Sequence, residues 1–490
     1  MGAQVELIAY ADRFGGDLVG LRALLDGPLR GLFGGVHVLP FYRPFDGADA
    51  GFDPADHTEV DKRLGSWEDI AALSAGYRVM ADMIINHVSA SSPQFRDWLA
   101  RGQASPSAGM FLTYGTAFPG GATEDTLMRL YRPRPGLPFT PYTFGDSSKT
   151  LIWTTFTPQQ VDLDVRHPVT RAYLFRVLDS LAGAHVSHVR LDAVGYAVKT
   201  PGLTSFMNPE TFKFIDEVSA WCHERDLDVL VEVHSHYLRQ VEIAAQVDYV
   251  YDFALPPLIL HALTAGDAGP LLTWQGLRPA NAVTVLDTHD GIGVIDVGRD
   301  ATDRARPGLL SPDQLARLVE AMHANSGGTS RQATGAVASN VDLYQVNCTF
   351  YDALGRDDDR YLLARALQFW TPGIPQVYYV GLLAGGNDMD LLARTHVGRD
   401  INRHHYTLAE IEDALARPVV QALCQLIRLR NTHPAFEGSL TCSGNAATIE
   451  MSWARDDDEA VLRANLANGS AEVTWTENGA RHSAPLAALP

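Results

Sequence analysis

The sequence predicts an α/β fold: a closed (β/α)8 barrel with an insertion after strand 3, another after strand 7, and a small antiparallel β domain at the C-terminus. Three observations support this prediction. Eight short runs are rich in branched and aromatic residues, as is typical of strands. Helical patterns lie between most of these runs, and strands that alternate with helices form a parallel sheet. Two long segments interrupt the alternation.

Each predicted strand is a short apolar run bounded by polar or turn residues, as expected for strands that a parallel sheet buries on both faces. The runs are Val5–Tyr10, Gly35–Pro40, Val79–Asn86, Val186–Asp192, Val229–His234, Tyr249–Ala254, Ala282–Asp287 and Gln376–Val380. The predicted helices between them include Leu18–Leu29, Trp67–Ala75, Pro168–Ala184, Pro209–Arg225 and Tyr237–Ala245.

The two interruptions cover residues 87–167 and 291–370. Structureless loops of that length are uncommon in compact domains, so we expect inserted subdomains with a functional role. Both follow strand C-termini, where a barrel enzyme keeps its active site. The barrel itself is then assigned to residues 1–86, 168–290 and 371–434. Residues 435–490 alternate apolar and polar side chains and predict the C-terminal β domain.

Composition argues against several classes of protein, namely those that bind nucleic acid, span a membrane or use cysteine-based zinc or redox sites. A net charge of -19 argues against nucleic acid or an anionic membrane as partner. No apolar run approaches the roughly 18 residues of a membrane-spanning helix. The four cysteines are scattered and form no CxxC pair, which argues against zinc or redox sites. Buried free thiols in a reducing cytoplasm are the expectation.

Three carboxylates mark the predicted active site. Arg190 and Asp192 lie two residues apart at the end of one strand, so their side chains point the same way. A carboxylate beside a guanidinium stays ionised and oriented, as a nucleophile requires. Glu232 and Asp290 follow two further apolar runs. One such acid alone is usually a helix cap or a surface ion pair, but three in separate strand-end motifs favour catalysis.

These motifs resemble the signature segments of the α-amylase family. The matching segments are HVRLDAVGY, VLVEVHS, VLDTHDG and ADMIINHVS. The resemblance to sucrose phosphorylases is closer still and covers nearly the whole chain. It is carried by LPFYRPFDGADAGFDPADHTEVD, YRPRPGLPFT, FTPQQVDLD, VYDFALPP, SNVDLYQVN and GRDINRHHY. No single segment is specific, but together they are.

The resemblance implies a retaining mechanism with a covalent glucosyl-enzyme. Asp192 is then the nucleophile, Glu232 the general acid and later the base, and Asp290 the stabiliser of an oxocarbenium-like transition state. Glu232 must release a proton to the leaving group, so it should hold that proton more tightly than Asp192 would. Retaining enzymes keep the two reacting carboxyl groups about 5–5.5 Å apart.

The resemblance also implies the residues that bind substrate. Asp49 and Arg399 resemble the pair that grips the far end of the glucose ring, Phe52 and Phe156 its apolar walls. The full predicted set is Asp49, Phe52, His87, Phe156, Gln160, Arg190, Tyr196, His234, His289, Asp342, Gln345 and Arg399. Within this set, Asp342 and Gln345 are expected to contact the fructose acceptor.

Phosphate needs a local cation in so acidic a protein. Arg132 and Arg134 lie on a loop stiffened by prolines. The resemblance points to Arg134 as the phosphate contact, assisted by Tyr344 and His234; the alternative is a proline-rich surface segment. Esterification of Asp192 removes a negative charge, so phosphate should bind the glucosyl-enzyme better than the free enzyme.

The resemblance therefore implies reversible phosphorolysis of sucrose to α-glucose 1-phosphate and fructose. We expect a cytoplasmic enzyme that uses inorganic phosphate as co-substrate and no cofactor or metal, and homodimer formation stays open. The alternatives are a phosphorylase for sucrose 6′-phosphate, glucosylglycerol or glucosylglycerate, a sucrose-hydrolysing α-glucosidase or transglucosidase, and a non-catalytic amylase-like binding module. Some amylases bind structural calcium with an Asn at the position of Asn86, so this residue either binds calcium or only forms hydrogen bonds.

Overall fold

The computed structural model describes residues 4–47, 49–132, 136–300, 303, 305–334 and 345–489. Among these residues, parallel strands close a barrel: β1 Glu6–Ala9, β2 Gly35–Val38, β3 Arg78–Ile84, β4 His188–Asp192, β5 Asp228–Val231, β6 Tyr249–Asp252, β7 Ala282–Thr284 and β8 Ile374–Tyr378. The barrel closes at β1, which pairs with both β2 and β8. The predicted barrel is confirmed, although most strands end earlier than the apolar runs do.

The barrel interior contains polar side chains although its strands are buried. Every residue of β1, β2 and β8 is buried. Gln376 Nε2 donates to Glu6 Oε2 over 2.9 Å, and His37 Nε2 lies 2.9 Å from Asp82 Oδ2. Buried polar groups are tolerated when they are paired, and these pairs form a network below the predicted site.

The helical layer follows local sequence signals. Its helices are Leu18–Asp26, Trp67–Ser74, Pro168–Gly183, Pro209–His223, Tyr237–Ala244, Leu255–Ala265, Gly269–Gln275, Asp358–Trp370, Leu408–Leu415 and Pro418–Thr432. The Asp17 side chain caps the first of these by accepting from Gly20 N over 2.7 Å. That helix ends at Asp26 rather than at Leu29 because Pro28 disfavours helical backbone at Gly27.

The segment between β3 and β4 is built from small antiparallel pairs. His87–Ser89 pairs with Gln160–Asp162, and Phe139–Thr143 pairs with Lys149–Trp153. Its helices are Pro93–Arg101, Tyr114–Ala117 and Glu124–Met128. The first pair starts directly beyond the end of β3, so it brings Gln160 to the carboxyl end of the barrel.

The segment between β7 and β8 also returns to the barrel end. Ile292–Gly293 pairs with Gln345–Val346, which brings Gln345 beside the loop that follows β7. The helices there are Pro312–Asn325, Thr329–Ala333 and Phe350–Ala353, followed by helix Asp358–Trp370, which leads into β8.

The C-terminal residues form an antiparallel sheet of consecutive strands. They are β9 Ser439–Gly444, β10 Thr448–Arg455, β11 Asp458–Asn465, β12 Ser470–Glu477 and β13 Ala480–Pro485. Trp453 Nε1 donates to the carbonyl of Trp370 over 2.7 Å and joins the sheet to the barrel. Across the part of the chain that the structure describes, no helix is long and apolar enough to cross a membrane.

Candidate active site

Arg190 and Asp192 face the same way at the end of β4. The Arg190 Nη1 group donates to Asp192 Oδ1 over 2.9 Å. Only 2% of the Arg190 side chain is exposed. The chain turns away directly afterwards, because Ala193 adopts a left-handed φ of 53°. The period of two along the strand thus places the guanidinium against the carboxylate, as predicted.

Asp82 anchors Arg190 from below. This fully buried carboxylate on β3 accepts from Arg190 Nη1 and lies 2.9 Å from His37 Nε2. Burial raises the pKa of Asp82, but the charges of His37 and Arg190 outweigh it and lower the pKa to about 2. The sequence prediction missed Asp82, although a charged residue inside an apolar strand was a signal for it.

Glu232 shares the same guanidinium. It directly follows β5, and its Oε1 atom lies 3.9 Å from Arg190 Nη2. Burial and the charges of Glu232, Asp82 and Asp290 raise the pKa of Asp192 well above its ordinary value, although Arg190 lowers it. The expectation that Arg190 alone keeps Asp192 ionised therefore omits burial and three neighbouring acids. Both carboxyl groups thus lie beside the Arg190 guanidinium, which places the predicted nucleophile near the predicted acid.

Asp290 lies beside two arginines. It lies in the loop beyond β7 rather than at the strand end. Arg399 Nη1 lies 2.9 Å and Arg403 Nη2 3.9 Å from Asp290 Oδ1. Burial raises the pKa of Asp290, but Arg399, His289 and Arg403 outweigh burial, and the net pKa is lowered. Asp290 is therefore an anion at neutral pH.

Asp49 belongs to the same end of the pocket. Its Oδ1 atom lies 3.9 Å from Arg399 Nη1, and its Oδ2 atom accepts from Gln160 Nε2 over 3.5 Å. Arg403 was not predicted; its Nε atom donates to the carbonyl of His289 over 2.8 Å. The structure thus brings together the predicted residues Asp49, Gln160, Asp290 and Arg399.

Two histidines and an aromatic ring line the pocket. The rings of Phe52 and His289 stack at 4.5 Å between centroids. His87 Nε2 donates to the carbonyl of Phe52 over 2.9 Å, while Gln160 Nε2 lies 3.1 Å from the same nitrogen. Burial lowers the pKa of His87 and of His289, so both rings are neutral at pH 7.

An aromatic wall continues from His87. Phe156 packs edge-on against His87 at 5.3 Å and against Tyr196 at 5.2 Å. Phe206, which was not predicted, lies 4.7 Å from Tyr196 and 4.8 Å from Tyr131. Aromatic faces of this kind bind the apolar faces of sugar rings.

His234 and Gln345 form a further group of polar side chains next to Glu232. His234 Nε2 is 3.8 Å from Glu232 Oε1 and 3.2 Å from Gln345 Nε2. One ligand atom each of Glu232, His234 and Asp290 lies within 4.8 Å of the others, a spacing that could hold a metal ion. Arg190 lies beside Glu232 and Arg399 beside Asp290, so each of these carboxylates has a cation near it.

The residues around Asn86 do not fit a structural calcium ion. Asn86 Oδ1 accepts from Lys199 Nζ over 2.6 Å, and the same ammonium lies 2.5 Å from Asp162 Oδ2. Burial lowers the pKa of Lys199, and the Asp162 charge opposes that shift. A cation at this point would compete with the ammonium for both oxygens. Asn86 therefore serves the hydrogen bond rather than a metal.

Three predicted contacts lie outside the described residues: Arg134, Asp342 and Tyr344. The structure describes Arg132 and Gln345, which are close to them in the sequence. Arg132 Nη1 donates to the carbonyl of Gly136 over 3.4 Å, and Gln345 Oε1 accepts from Gly291 N over 3.3 Å.

Comparison with known proteins agrees with this geometry. Residues 8–256 match the family model described as alpha amylase, catalytic domain. A sucrose phosphorylase of Agrobacterium vitis is 56% identical over 97% of this chain and 97% of its own. A sucrose phosphorylase of Bifidobacterium adolescentis is 53% identical over 94% of this chain and 92% of its own.

A solved structure is similar over almost the whole fold. The sucrose 6F-phosphate phosphorylase from Thermoanaerobacter thermosaccharolyticum superimposes with a TM-score of 0.91 at 34% identity, covering 99% of both chains. The barrel, the loop segments and the C-terminal sheet are thus shared. The chain belongs to the α-amylase family and, within it, to the sucrose phosphorylases and their relatives.

Proposed function

We propose that this protein catalyses the reversible phosphorolysis of sucrose to α-glucose 1-phosphate and fructose. The observation that carries the proposal is the arrangement of Asp192 and Glu232 on one buried guanidinium, with Asp290 held by two arginines. Relatives that are 53–56% identical over nearly their whole length are sucrose phosphorylases, which supports sucrose as the donor.

The first half-reaction forms the glucosyl-enzyme. An Asp192 oxygen forms a bond to the anomeric carbon of glucose while the glycosidic bond to fructose breaks. Glu232 donates its proton to the departing fructose oxygen. Positive charge that develops on the sugar ring meets the anionic Asp290, which Arg399 and Arg403 keep ionised.

The second half-reaction reverses these roles. A phosphate oxygen attacks the anomeric carbon, the ester bond to Asp192 breaks, and Glu232 takes up the phosphate proton. Two displacements at one carbon retain the α configuration. Because the ester neutralises Asp192, the phosphate dianion meets one negative charge fewer than in the free enzyme. Arg134 and Tyr344, with His234, are the proposed phosphate contacts.

The proposed reaction also determines which co-substrate and cofactors the protein needs. Phosphate acts as co-substrate and the reaction uses no cofactor. The Asp192–Glu232 pair supplies the nucleophile and the proton, so no step requires a metal. We place the enzyme in the cytoplasm, in keeping with four cysteines that are free thiols. A mass measurement in solution distinguishes a monomer from a homodimer.

A substrate panel tests the donor. Sucrose, sucrose 6′-phosphate, glucosylglycerol and glucosylglycerate would each be incubated with phosphate, and glucose 1-phosphate would be quantified. The highest kcat/KM is expected for sucrose. A preference for another member of the panel would reassign the acceptor while keeping the reaction class. Free glucose as the main product from every donor would instead indicate a hydrolase.

A further inference from the structure

Asp296 is a buried carboxylate that the mechanism above does not use. It lies in the short turn Ile295–Val297, beyond β7, and is fully buried. Its Oδ1 atom accepts from Ser235 N over 3.1 Å and from Gln240 Nε2 over 3.0 Å. Its Oδ2 atom accepts from His234 Nδ1 over 3.1 Å. A carboxylate with this many donors is held in one orientation.

The backbone of Gly293 packs closely against this pair. A Cβ atom at Gly293 would lie 2.4 Å from Asp296 Oδ2 and 3.1 Å from His234 Nδ1. The face of the His234 ring stacks on the Phe253 ring, with 3.8 Å between the ring centroids. The imidazole therefore has both its plane and its Nδ1 atom fixed.

The hydrogen bond from Nδ1 to Asp296 determines whether the other ring nitrogen, Nε2, donates or accepts a hydrogen bond. When Nδ1 carries the proton donated to Asp296, Nε2 of the neutral ring is an acceptor. Gln345 accepts from Gly291 N with its oxygen, so its amide nitrogen can donate to His234 Nε2 over 3.2 Å. Nε2 thus lies 3.8 Å from Glu232 Oε1, the group that exchanges a proton with fructose and phosphate in the proposed reaction.

We propose that Asp296 is a positioning residue for the acceptor half of the reaction: it orients His234 so that Nε2 meets the phosphate or fructose oxygen beside Glu232. This inference rests on the proposed function. The acidic groups that face the His234 ring are Asp296, Glu232 and Asp290, and the cations nearest to those acids are Arg190 and Arg399. Burial lowers the pKa of His234, but Asp296 and the two other acids outweigh burial and raise it.

The test compares Asp296→Asn, His234→Ala and the double variant. Asp296→Asn should lower kcat/KM for phosphate on the order of 10- to 100-fold, the size of loss seen when the carboxylate behind a metal-bound histidine is removed. The first-turnover release of fluoride from α-glucosyl fluoride should change by less than about threefold, since it needs Asp192 but no acceptor contact. In the His234→Ala background, Asp296→Asn should add no further loss.

Asp352→Asn is the matched control. Asp352 is also buried beyond β7 and accepts from Thr349 Oγ1, Arg356 Nε and Asn387 N, but it does not contact His234 in the described structure. Its kcat/KM for phosphate should match that of the wild type. Equal losses of Asp296→Asn in both backgrounds, or an equal loss of fluoride release, would overturn the proposal.

A measurement on the wild type keeps the test independent of variant folding. Nitrogen-15 NMR of labelled histidines, assigned with a His234→Gln variant, should show a protonated Nδ1 on His234. A bare Nδ1 with a protonated Nε2 would overturn the proposal. Failure of the wild type to form glucose 1-phosphate would contradict the proposed function instead, because the protonated nitrogen of His234 is measured without substrate.

Discussion

Arg190 is shared by several carboxyl groups of the site. It contacts Asp82, Asp192 and Glu232 while almost fully buried. Burial and the neighbouring acids together outweigh this one guanidinium, so the pKa of Asp192 is raised in spite of the ion pair.

Replacement of Asp192 by Asn should abolish turnover and leave the fold intact. Asn preserves size and can still accept from Arg190, but it cannot form the glucosyl ester, so activity should fall by several orders of magnitude. Thermal unfolding and sucrose turnover would be measured on the same preparation. More than a few per cent residual activity would show that Asp192 is not the nucleophile.

Glu232→Gln should separate substrates by their leaving groups. Fructose needs a proton as it departs and fluoride does not, so the loss with sucrose should exceed that with α-glucosyl fluoride by about a hundredfold or more. The comparison uses the rate of the first half-reaction for each donor. Equal losses for both donors would count against Glu232 as the acid.

Arg134→Ala should shift the products from glucose 1-phosphate toward free glucose. The first half-reaction needs no phosphate, while the second would lose a charge-assisted contact, which changes partitioning about ten- to hundredfold. Arg132→Ala, on the same loop, is the control. A product ratio that keeps its wild-type dependence on phosphate concentration would remove Arg134 from the phosphate site.

At the scale of elements, the contact between Lys199 and Asp162 ties the segment after β3 to the barrel. Lys199 follows β4, whereas Asp162 lies in the small antiparallel pair that begins at His87. The Thr155 hydroxyl also donates to Asp162 Oδ2, over 2.5 Å. This pair therefore holds Gln160 and His87 against the barrel end.

Lys199→Met should destabilise the protein by about 3–5 kcal/mol, because it leaves a buried carboxylate without its cation. Unfolding in denaturant would be compared with that of Lys213→Met, which changes an exposed lysine. Chelation of divalent cations should not alter the wild-type curve, since the ammonium occupies both oxygens. Equal stability of the two variants would contradict a structural role for Lys199.

At the scale of the whole molecule, sequence patterns predict what is local. The barrel follows from alternating runs, and Asp192, Glu232 and Asp290 follow from motifs at their ends. Asp82, Arg403 and Asp296 were missed because their roles arise from contacts with residues far away in the chain, such as Asp82 with Arg190 and Asp296 with His234. No periodicity encodes such contacts; only closure of the barrel creates them.

The pKa of Asp192 could not be predicted from its motif for the same reason. The sequence places Arg190 two residues away, but the opposing acids come from β3, from the residue after β5 and from the loop beyond β7. A pair within one strand can be predicted from the sequence, whereas the sum of charges across a barrel requires the closed structure.

The most direct measurement is the anomeric form and phosphate dependence of the product from sucrose. Purified protein would be incubated with sucrose with and without phosphate, and the sugar products followed by proton NMR from the first minutes. We expect α-glucose 1-phosphate and fructose in equal amounts when phosphate is present, and only slow release of glucose when it is absent. Formation of the β anomer, or glucose release at a rate that phosphate does not change, would contradict a retaining phosphorylase.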